Sequence, residues 1–565
     1  MDWQRTSILA AIAVVLLLLV KQWIDFSERA DQIPTTEAAE QASTPDSREA
    51  VDPVETPTIA DSNTEQTGDF VPTVEAKPAD TVASITPEAN RDLITVTTDV
   101  MRMSIDPKGG DIVEVYLLDH YKDLEDKEPF QIMGNETNRY YIAQSGLVGK
   151  NGTDSDQGRP VFSADRDSYT LSESADSLFV DLNYRQDDTL ITKRFTLKRG
   201  DHAIALEYII NNQSSSNWSG ALFGQIKRDA HKPPKTGGGF GVTPFLGAAY
   251  TTEDDKYKKF DLDDLDKLAE TEITGGWVAM VQHYFVGAWI PPQESVNRFT
   301  LKKRGEYHYL SFTTPEFTVP PGVKHSAKAT LYVGPKNIDR LGELAPHLGL
   351  TVDYGWTWIL AKPLFHVLDF IHGLIGSWGW SIVILTLLIK LLFFYPSAIS
   401  YRSMAKMRKL QPMMADLKER FGDDRQKMSA ELMKIYRKEK VNPMAGCLPI
   451  LIQMPVFISL YWMLMESVEL RHAPFLGYIN DLSAMDPYFI LPVLMGFTMW
   501  IQQKLNPAPP DPMQAKIMQM LPFVFTIMFL FFPAGLVVYW VVNNTLSIAQ
   551  QYVITRQIEK AGTTS

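Results

Sequence analysis

The stretch "WGWSIVILTLLIKLLFFYPS", Trp378–Ser397, decides the class of this molecule. From Trp378 to Tyr395 only one residue, Lys390, is charged. At 1.5 Å per residue the run nearly spans a hydrocarbon core of about 30 Å, so it reads as a membrane helix. A lysine at the centre of such a helix costs about 3 kcal/mol on insertion scales. Two reasons for it are open. Lys390 lies five residues before Tyr395, so its stem can lift the ammonium to the interface. Alternatively, it lines a polar cavity.

Further apolar runs follow at Cys447–Met465, Tyr488–Gln503, Lys516–Phe532 and Leu536–Ile554, the last two joined by a tight turn at Pro533. With an N-terminal run they predict six membrane helices. That run, "MDWQRTSILAAIAVVLLLLVKQW", has Arg5 before its apolar core and no small-residue cleavage pattern after it, so residues 1–26 read as an uncleaved signal anchor. Residues 27–90 carry fourteen Asp/Glu against three Lys/Arg, supplying −11 of the net charge of −13. Rich in Pro, Thr and Ala, they cannot bury enough surface to offset chain entropy and read as a flexible tether. The rest is near neutral, with no footprint for wholesale nucleic-acid binding. The single cysteine, Cys447, excludes an internal disulfide and a multi-cysteine metal site.

Residues 91–340 change to period two. "DLITVTTDVMRMSID", "SLFVDLNYR", "LITKRFTLKRGDHAIALEYIINN" and "SAKATLYVGP" alternate apolar with polar between turn residues, which predicts a large β-sandwich. "TGGGFGV", Thr236–Val242, lacks the spacing of a phosphate loop and reads as a turn. Residues 341–376 are connecting and amphipathic: from Trp358, Lys362, His366, Asp369 and His372 interrupt apolar positions at helical spacing, predicting a helix lying in the interface.

Charge sets the orientation. Ser397–Gly446 carries twelve Lys/Arg, whereas Glu466–Pro487 carries only Arg471. The first loop is therefore expected in the cytoplasm, and the β-domain and both membrane-embedded termini are placed accordingly: domain outside, termini inside. Residues 397–446, between the membrane helix 377–396 and the four in 447–556, read as a helical hairpin broken at "FGDD", with Gly422 as C-cap and Asp423 opening the second run. Its methionines, Met404, Met407, Met413, Met414, Met428 and Met433, suit either an ordinary core or an adaptable surface. Residues 557–565 form a short tail.

No Walker loop, zinc motif or nucleophile elbow is present, so the chain reads as no enzyme, with no cofactor, no metal and no small-molecule substrate. The membrane runs instead hold scattered polar residues: Thr386, Gln453, Gln519, Asn543, Asn544 and Gln550. Spread over several helices, they favour a hydrated recess around Lys390. Pro449, Pro455, Pro492 and Pro522 predict broken helices and a loose bundle open to the side.

"SMAKMRKLQP", "EKVNPMAGCLPILIQMPVF", "SVELRHAPF", "DLSAMDPYFILPVLMG" and "PAGLVVYWVVNN" closely resemble the YidC/Oxa/Alb family of bacterial inner-membrane protein insertases, in the form with a large periplasmic domain. The resemblance covers the whole chain. It implies an insertase and folding chaperone for nascent membrane proteins, acting alone or with the Sec translocon, in contact with membrane lipid and with the ribosome. It also implies a hydrophilic groove closed toward the periplasm, with a cation at Lys390 and with Thr386, Tyr539, Trp540 and Asn543 lining it. Where well-known relatives have arginine, this chain has lysine, which keeps the charge without the bidentate fork. The C-terminus "RQIEKAGTTS" is nearly neutral, so Arg408 and Lys409 of the cytoplasmic loop are the expected docking cations. Two other classes stay in view. A secondary transporter would show inverted repeats, and only a parallel echo joins "VNPMAGCLPILIQMPVF" to "PDPMQAKIMQMLPFVF". A membrane-anchored periplasmic binding protein would leave the polar spans without a use.

Overall fold

The computed structural model describes Pro72 and residues 93–561, apart from 126, 137–138, 156–157, 233–243, 263–268, 422–424, 440, 442–447 and 507–511. The expected signal anchor, nearly all of the tether, the glycine-rich turn at 236–242, the cap at Gly422 and Asp423, and Cys447 lie outside the described residues.

Period-two sequence becomes period-two burial. Along Thr189–Lys198 the inward positions are Thr189, Ile191, Lys193, Phe195 and Leu197, and the strand pairs in antiparallel register with Ala203–Asn212. Among the described residues two sheets form. One has eleven strands, from Ala269–Thr274 at one edge to Ser168–Thr170 at the other; the second has nine, from Lys258–Asp261 to Ser163–Ala164. Met101 and Val115 of the first sheet share one buried core with Leu206 and Trp289 of the second, so the expected sandwich is the observed fold.

The core also contains charge. Arg159 is buried between Asp154, 2.7 Å away, and Asp111, and its third nitrogen donates to the Ser145 carbonyl at 2.8 Å. Asp111 also accepts from Gln144, and Lys193 donates to the carbonyls of Gly109 and Ser145. Gly109 sits at φ +76°, and a Cβ there would run into the Arg159 guanidinium. Arg159 and, when protonated, Lys193 face the two carboxylates; burial brings Lys193 down to about 7, partly offset by Asp111.

Helix α1, Ile338–Leu344, closes the domain; Asn337 caps it by accepting from the Arg340 N–H at 2.9 Å. Leu341 and Leu348 cover Trp277 and Val286 on the outer face of the nine-stranded sheet. Helix α2, Trp358–Ile375, buries Ala361, Phe365, Leu368 and Ile371 along one stripe, with Leu364 and His372 half-buried and the remaining positions exposed.

The remaining helices are α3 (Trp378–Leu392), α4 (Phe394–Lys409), α5 (Gln411–Phe421), α6 (Arg425–Lys438), α7 (Leu448–Glu466), α8 (Ile490–Leu505), α9 (Pro512–Phe529) and α10 (Ala534–Ala561). Several limits differ from expectation. The helix expected over 377–396 ends at Leu392, and α4 leaves it at 67°. Pro396 lacks the N–H that would bond back to Leu392, so the ladder cannot continue. The expected hairpin is three helices: Pro412, in the first turn of α5, separates it from α4. Residues 557–561 continue α10 instead of forming a tail. Pro455 and Pro522 lie inside unbroken helices, where Ser459 and Thr526 donate to the prolines' own carbonyls at 2.7 Å. By length and composition one described helix, Gly355–Ile375, is able to cross a membrane, and α3 with α4 qualifies only as a bent pair.

The methionines divide. Met404 packs on Ile554 of α10, whereas Met407 and Met414 pack around Leu410 and Tyr436 between α5 and α6. Met413 and Met433 are exposed.

The segment after α7 ties the helices to the sandwich. Lys336 and Glu466 form an ion pair at 2.6 Å, 1% and 2% exposed. His283 meets the Met465 carbonyl at 2.9 Å, and Val468 joins the sandwich core. Arg471 donates to the carbonyls of Tyr121 and Lys122 and lies over the rings of Phe130 and Phe285. Beside it, His120 packs on Phe285 near His202, Asp119 and His472. Burial brings His120 down to about 4, partly offset by Asp119, and burial with Lys336 nearby brings His283 down to about 3.

Two outcomes are expected. Arg159→Leu strands Asp111 and Asp154 and should cost the β-domain about 3–5 kcal/mol, read as an early thermal transition. Histidines held neutral when folded titrate near 6.5 when unfolded. The unfolded chain therefore takes up protons first as pH falls, and the stability present above 6.5 is lost on the way down to about 4. Thermal melts of the purified protein should drop by several degrees over that window, and His120→Leu should flatten the slope.

Candidate functional site

Helix α10 carries one polar residue per turn on a single face: Tyr539, Asn543, Ser547 and Gln551, all spaced four apart. All four are buried, at 1%, 7%, 3% and 1% exposure. A buried polar side chain needs partners, and each finds them on another helix. Gln453 of α7 donates to Asn543 Oδ1 at 2.5 Å and reaches the Tyr539 hydroxyl at 3.5 Å. Lys390 of α3 donates to Ser547 Oγ at 2.7 Å, and that hydroxyl donates to the Asn543 carbonyl at 2.7 Å. Gln551 donates to Asn506 Oδ1 and to the Leu505 carbonyl at the end of α8. One turn-spaced stripe thus gathers three helices.

Lys390 is 8% exposed, so its stem does not carry the ammonium out to solvent. Among the described residues no carboxylate stands beside it; burial acts on it without an opposing charge. Thr386, one turn before it, is buried but spends its hydroxyl on the Ile382 carbonyl at 2.7 Å. Trp540 stands half-buried, its ring 4.9 Å from Phe457 and 5.5 Å from Phe529, with a buried indole N–H that has no partner among the described residues.

Of the expected groove residues, the fold brings together Lys390, Gln453, Tyr539 and Asn543, with Trp540 one residue along. Gln519 departs. It is exposed on α9, a peripheral helix whose Ile517, Phe523, Val524 and Ile527 are also exposed. Asn544 turns to Thr498 of α8, and Gln550 donates to the Phe394 carbonyl. Arg408 and Lys409 close α4, outside the hairpin of α5 and α6, and Lys409 donates to the Ile558 carbonyl at 3.3 Å. Ser547 and Gln551 were missed as single residues. The signal was the four-residue spacing from Tyr539. Among the described residues no group of His, Cys, Asp or Glu is arranged to hold a metal.

The far end of this bundle is closed by backbone. Gly535 donates to the Leu482 carbonyl and Ala534 to that of Ala484, at 2.9 and 2.7 Å, pinning the loop after α7 over the start of α10. Gly379 of α3 lies so close to Phe475 of that loop that any Cβ would collide with the ring.

The family described as YidC periplasmic domain matches residues 93–367, and the 60Kd inner membrane protein family matches 370–561. The membrane protein insertase YidC of Cellvibrio japonicus is 54% identical over 567 residues, covering 99% of each chain. That of Saccharophagus degradans is 54% identical over 566 residues, covering 100% of each. The chain belongs to the YidC family. As a YidC-family member it is an inner-membrane protein whose β-domain is periplasmic and whose helical region follows. A solved active YidC insertase with its first transmembrane domain resolved is 17% identical, with a TM-score of 0.39 over 82% of this chain and 93% of that one, too slight a likeness to carry geometry.

If the Gln453–Asn543 bond holds α7 to α10 in this YidC-family chain, Asn543→Leu strands the Gln453 amide and should cost about 1–3 kcal/mol. Adding Gln453→Leu should restore part of that loss, so the double variant melts above the sum of the singles. Strict additivity in detergent thermal melts would show the bond to be unimportant.

Proposed function

We propose that this insertase admits the polar tail of a newly made membrane protein into the recess around Lys390 while the adjoining apolar segment passes sideways into lipid. One observation carries the reading: the buried ammonium meets a hydroxyl, not a carboxylate. A cation without a counter-charge in low dielectric attracts acidic groups over several ångströms. Gln453, Tyr539, Trp540 and Asn543 supply neutral polar groups along the same wall, and Thr386 adds a short buried side chain beside Lys390.

In this reading α3, α7, α8, α9 and α10 cross the membrane with the anchor at 1–26, giving six spans. α2 lies in the outer interface, its Lys362, His366 and Asp369 exposed. The bundle end closed by the loop after α7 faces the periplasm, and both termini and the α5–α6 hairpin face the cytoplasm. Helix α3 has 15 residues, about 22 Å, short of the roughly 30 Å hydrocarbon core. Such a mismatch thins the bilayer locally and shortens the path for the tail. Burial of the client's apolar segment, at roughly 25 cal/mol per Å², drives the transfer. The same arrangement works alone or beside the Sec translocon. Arg408 and Lys409, at the cytoplasmic end of α4, are the cations proposed to meet the ribosome.

The test compares two single-span clients, one with aspartates in its translocated tail and one with asparagines in their place. Lys390→Arg should keep insertion of both in membrane vesicles. Lys390→Glu should cut the acidic client about tenfold or more and the neutral client far less, consistent with like-charge repulsion of several kcal/mol. Photo-crosslinkers at Thr386, Lys390 and Trp540 should trap a stalled client. Equal losses for both clients would make the lysine a folding residue only.

A further inference from the structure

The Lys390 contact holds more than a cation in a recess. An ammonium has three donors, and among the described residues one of them is taken, by Ser547 Oγ at 2.7 Å. That serine is itself engaged on two sides. Its hydroxyl donates to the Asn543 carbonyl at 2.7 Å and accepts from Lys390. A serine oxygen has one proton to give, and with that proton donated to the Asn543 carbonyl its lone pairs are left for the ammonium. Ser547 is 3% exposed, so water competes little for these bonds.

The position is therefore a node. Through one oxygen, α3 and α10 meet: Lys390 near the end of α3 and Ser547 on the long last helix. The ammonium is held by a neutral acceptor, whose hold is weak beside that of a carboxylate. Two donors remain for an incoming group. A carboxylate arriving in the recess would take those donors and compete with the hydroxyl for the third.

We propose that Ser547 is the resting partner of Lys390, a positioning residue whose hydroxyl sets how readily the groove cation passes to an acidic client tail. This inference rests on the charge role of Lys390 proposed above. Ser547 touches the lysine and need not touch the client. It tunes selectivity between acidic and neutral tails while leaving the route the same.

The readout is the ratio of acidic-tail to neutral-tail insertion by the full-length protein in membrane vesicles, using the aspartate and asparagine clients. Ser547→Asp places a carboxylate where the hydroxyl stood and gives the ammonium a permanent partner. The ratio should fall about tenfold, the worth of one charge-assisted hydrogen bond. Ser547→Ala removes the competitor, and the ratio should rise at least about two- to fivefold, the low end for an ammonium bonded to a neutral acceptor; Ser547→Thr should restore the starting value. Should the aspartate variant fail to accumulate, the alanine and threonine variants decide alone. A ratio unmoved in Ser547→Ala, or lowered equally in Ser547→Ala and Ser547→Asp, overturns the proposal. Lys390→Gln separates the two levels. If that variant leaves the ratio unchanged, the charge role of Lys390 fails; if it lowers the ratio while the Ser547 variants do nothing, only the inference about Ser547 fails.

Discussion

The buried ion pair of Lys336 and Glu466 fixes the relation between the two halves of the described chain. Lys336 follows the last strand of the sandwich, and Glu466 is the last residue of α7. Two ions this deeply buried lose several kcal/mol of hydration each, and only their closeness compensates. Neither can drift from the other without stranding a charge, so α7 ends where the sandwich requires it to end. The chain then threads Val468 into the sandwich core and Arg471 across Phe130 and Phe285 before returning to cover the start of α10. The first residue of α10 is thereby set by a contact that begins in the β-domain.

From that fixed start the rest follows by helical geometry. Tyr539, Asn543, Ser547 and Gln551 fall on one face of α10, and Ser547, thirteen residues past Ala534, lies about 20 Å along the axis. The Lys390 contact therefore sits deep in the bundle, well removed from the end that the Leu482–Ala484 carbonyls close. Polar side chains at that depth would be a liability in a helix facing only lipid. Here each is met from α3, α7 or α8, so the same bonds that satisfy the polar stripe also hold the helices together.

Much of this was legible in the sequence. Alternation of period two survived translation into the sandwich because one-sided burial leaves a strand little freedom of register. The apolar runs became helices near their expected limits because no other structure satisfies so much apolar backbone. Lys390 announced itself as the one charge in its run. The failures share a cause: they turned on which neighbour a residue meets. Arg159 sits in an irregular segment and Lys193 at an alternating position of an unremarkable strand, and nothing local shows that Asp111 and Asp154 will face Arg159. Arg471 was read as a weak topological charge, yet it anchors a loop against two rings. Gln519 resembles Gln453 in sequence setting, but α9 is peripheral and α7 is not. Even the proline positions misled, since Pro455 and Pro522 are absorbed into continuous helices.

Three buried cations in this chain show what the choice of partner does. Arg159 is held between two aspartates inside the sandwich, and Lys336 by Glu466 at the joint. Both are closed arrangements, with the charge neutralised and nothing left to attract a newcomer. Lys390 is buried to a similar degree but is met by Ser547. A carboxylate in place of that serine would hold the ammonium more firmly and leave no field in the recess. The hydroxyl satisfies one donor and leaves the charge standing, at an energetic cost that the neighbouring bonds of Gln453, Asn543 and Gln551 help the bundle to bear. At the joint the charged partner rigidifies; at Lys390 the neutral partner is what lets the proposed role stand, a cation kept in readiness.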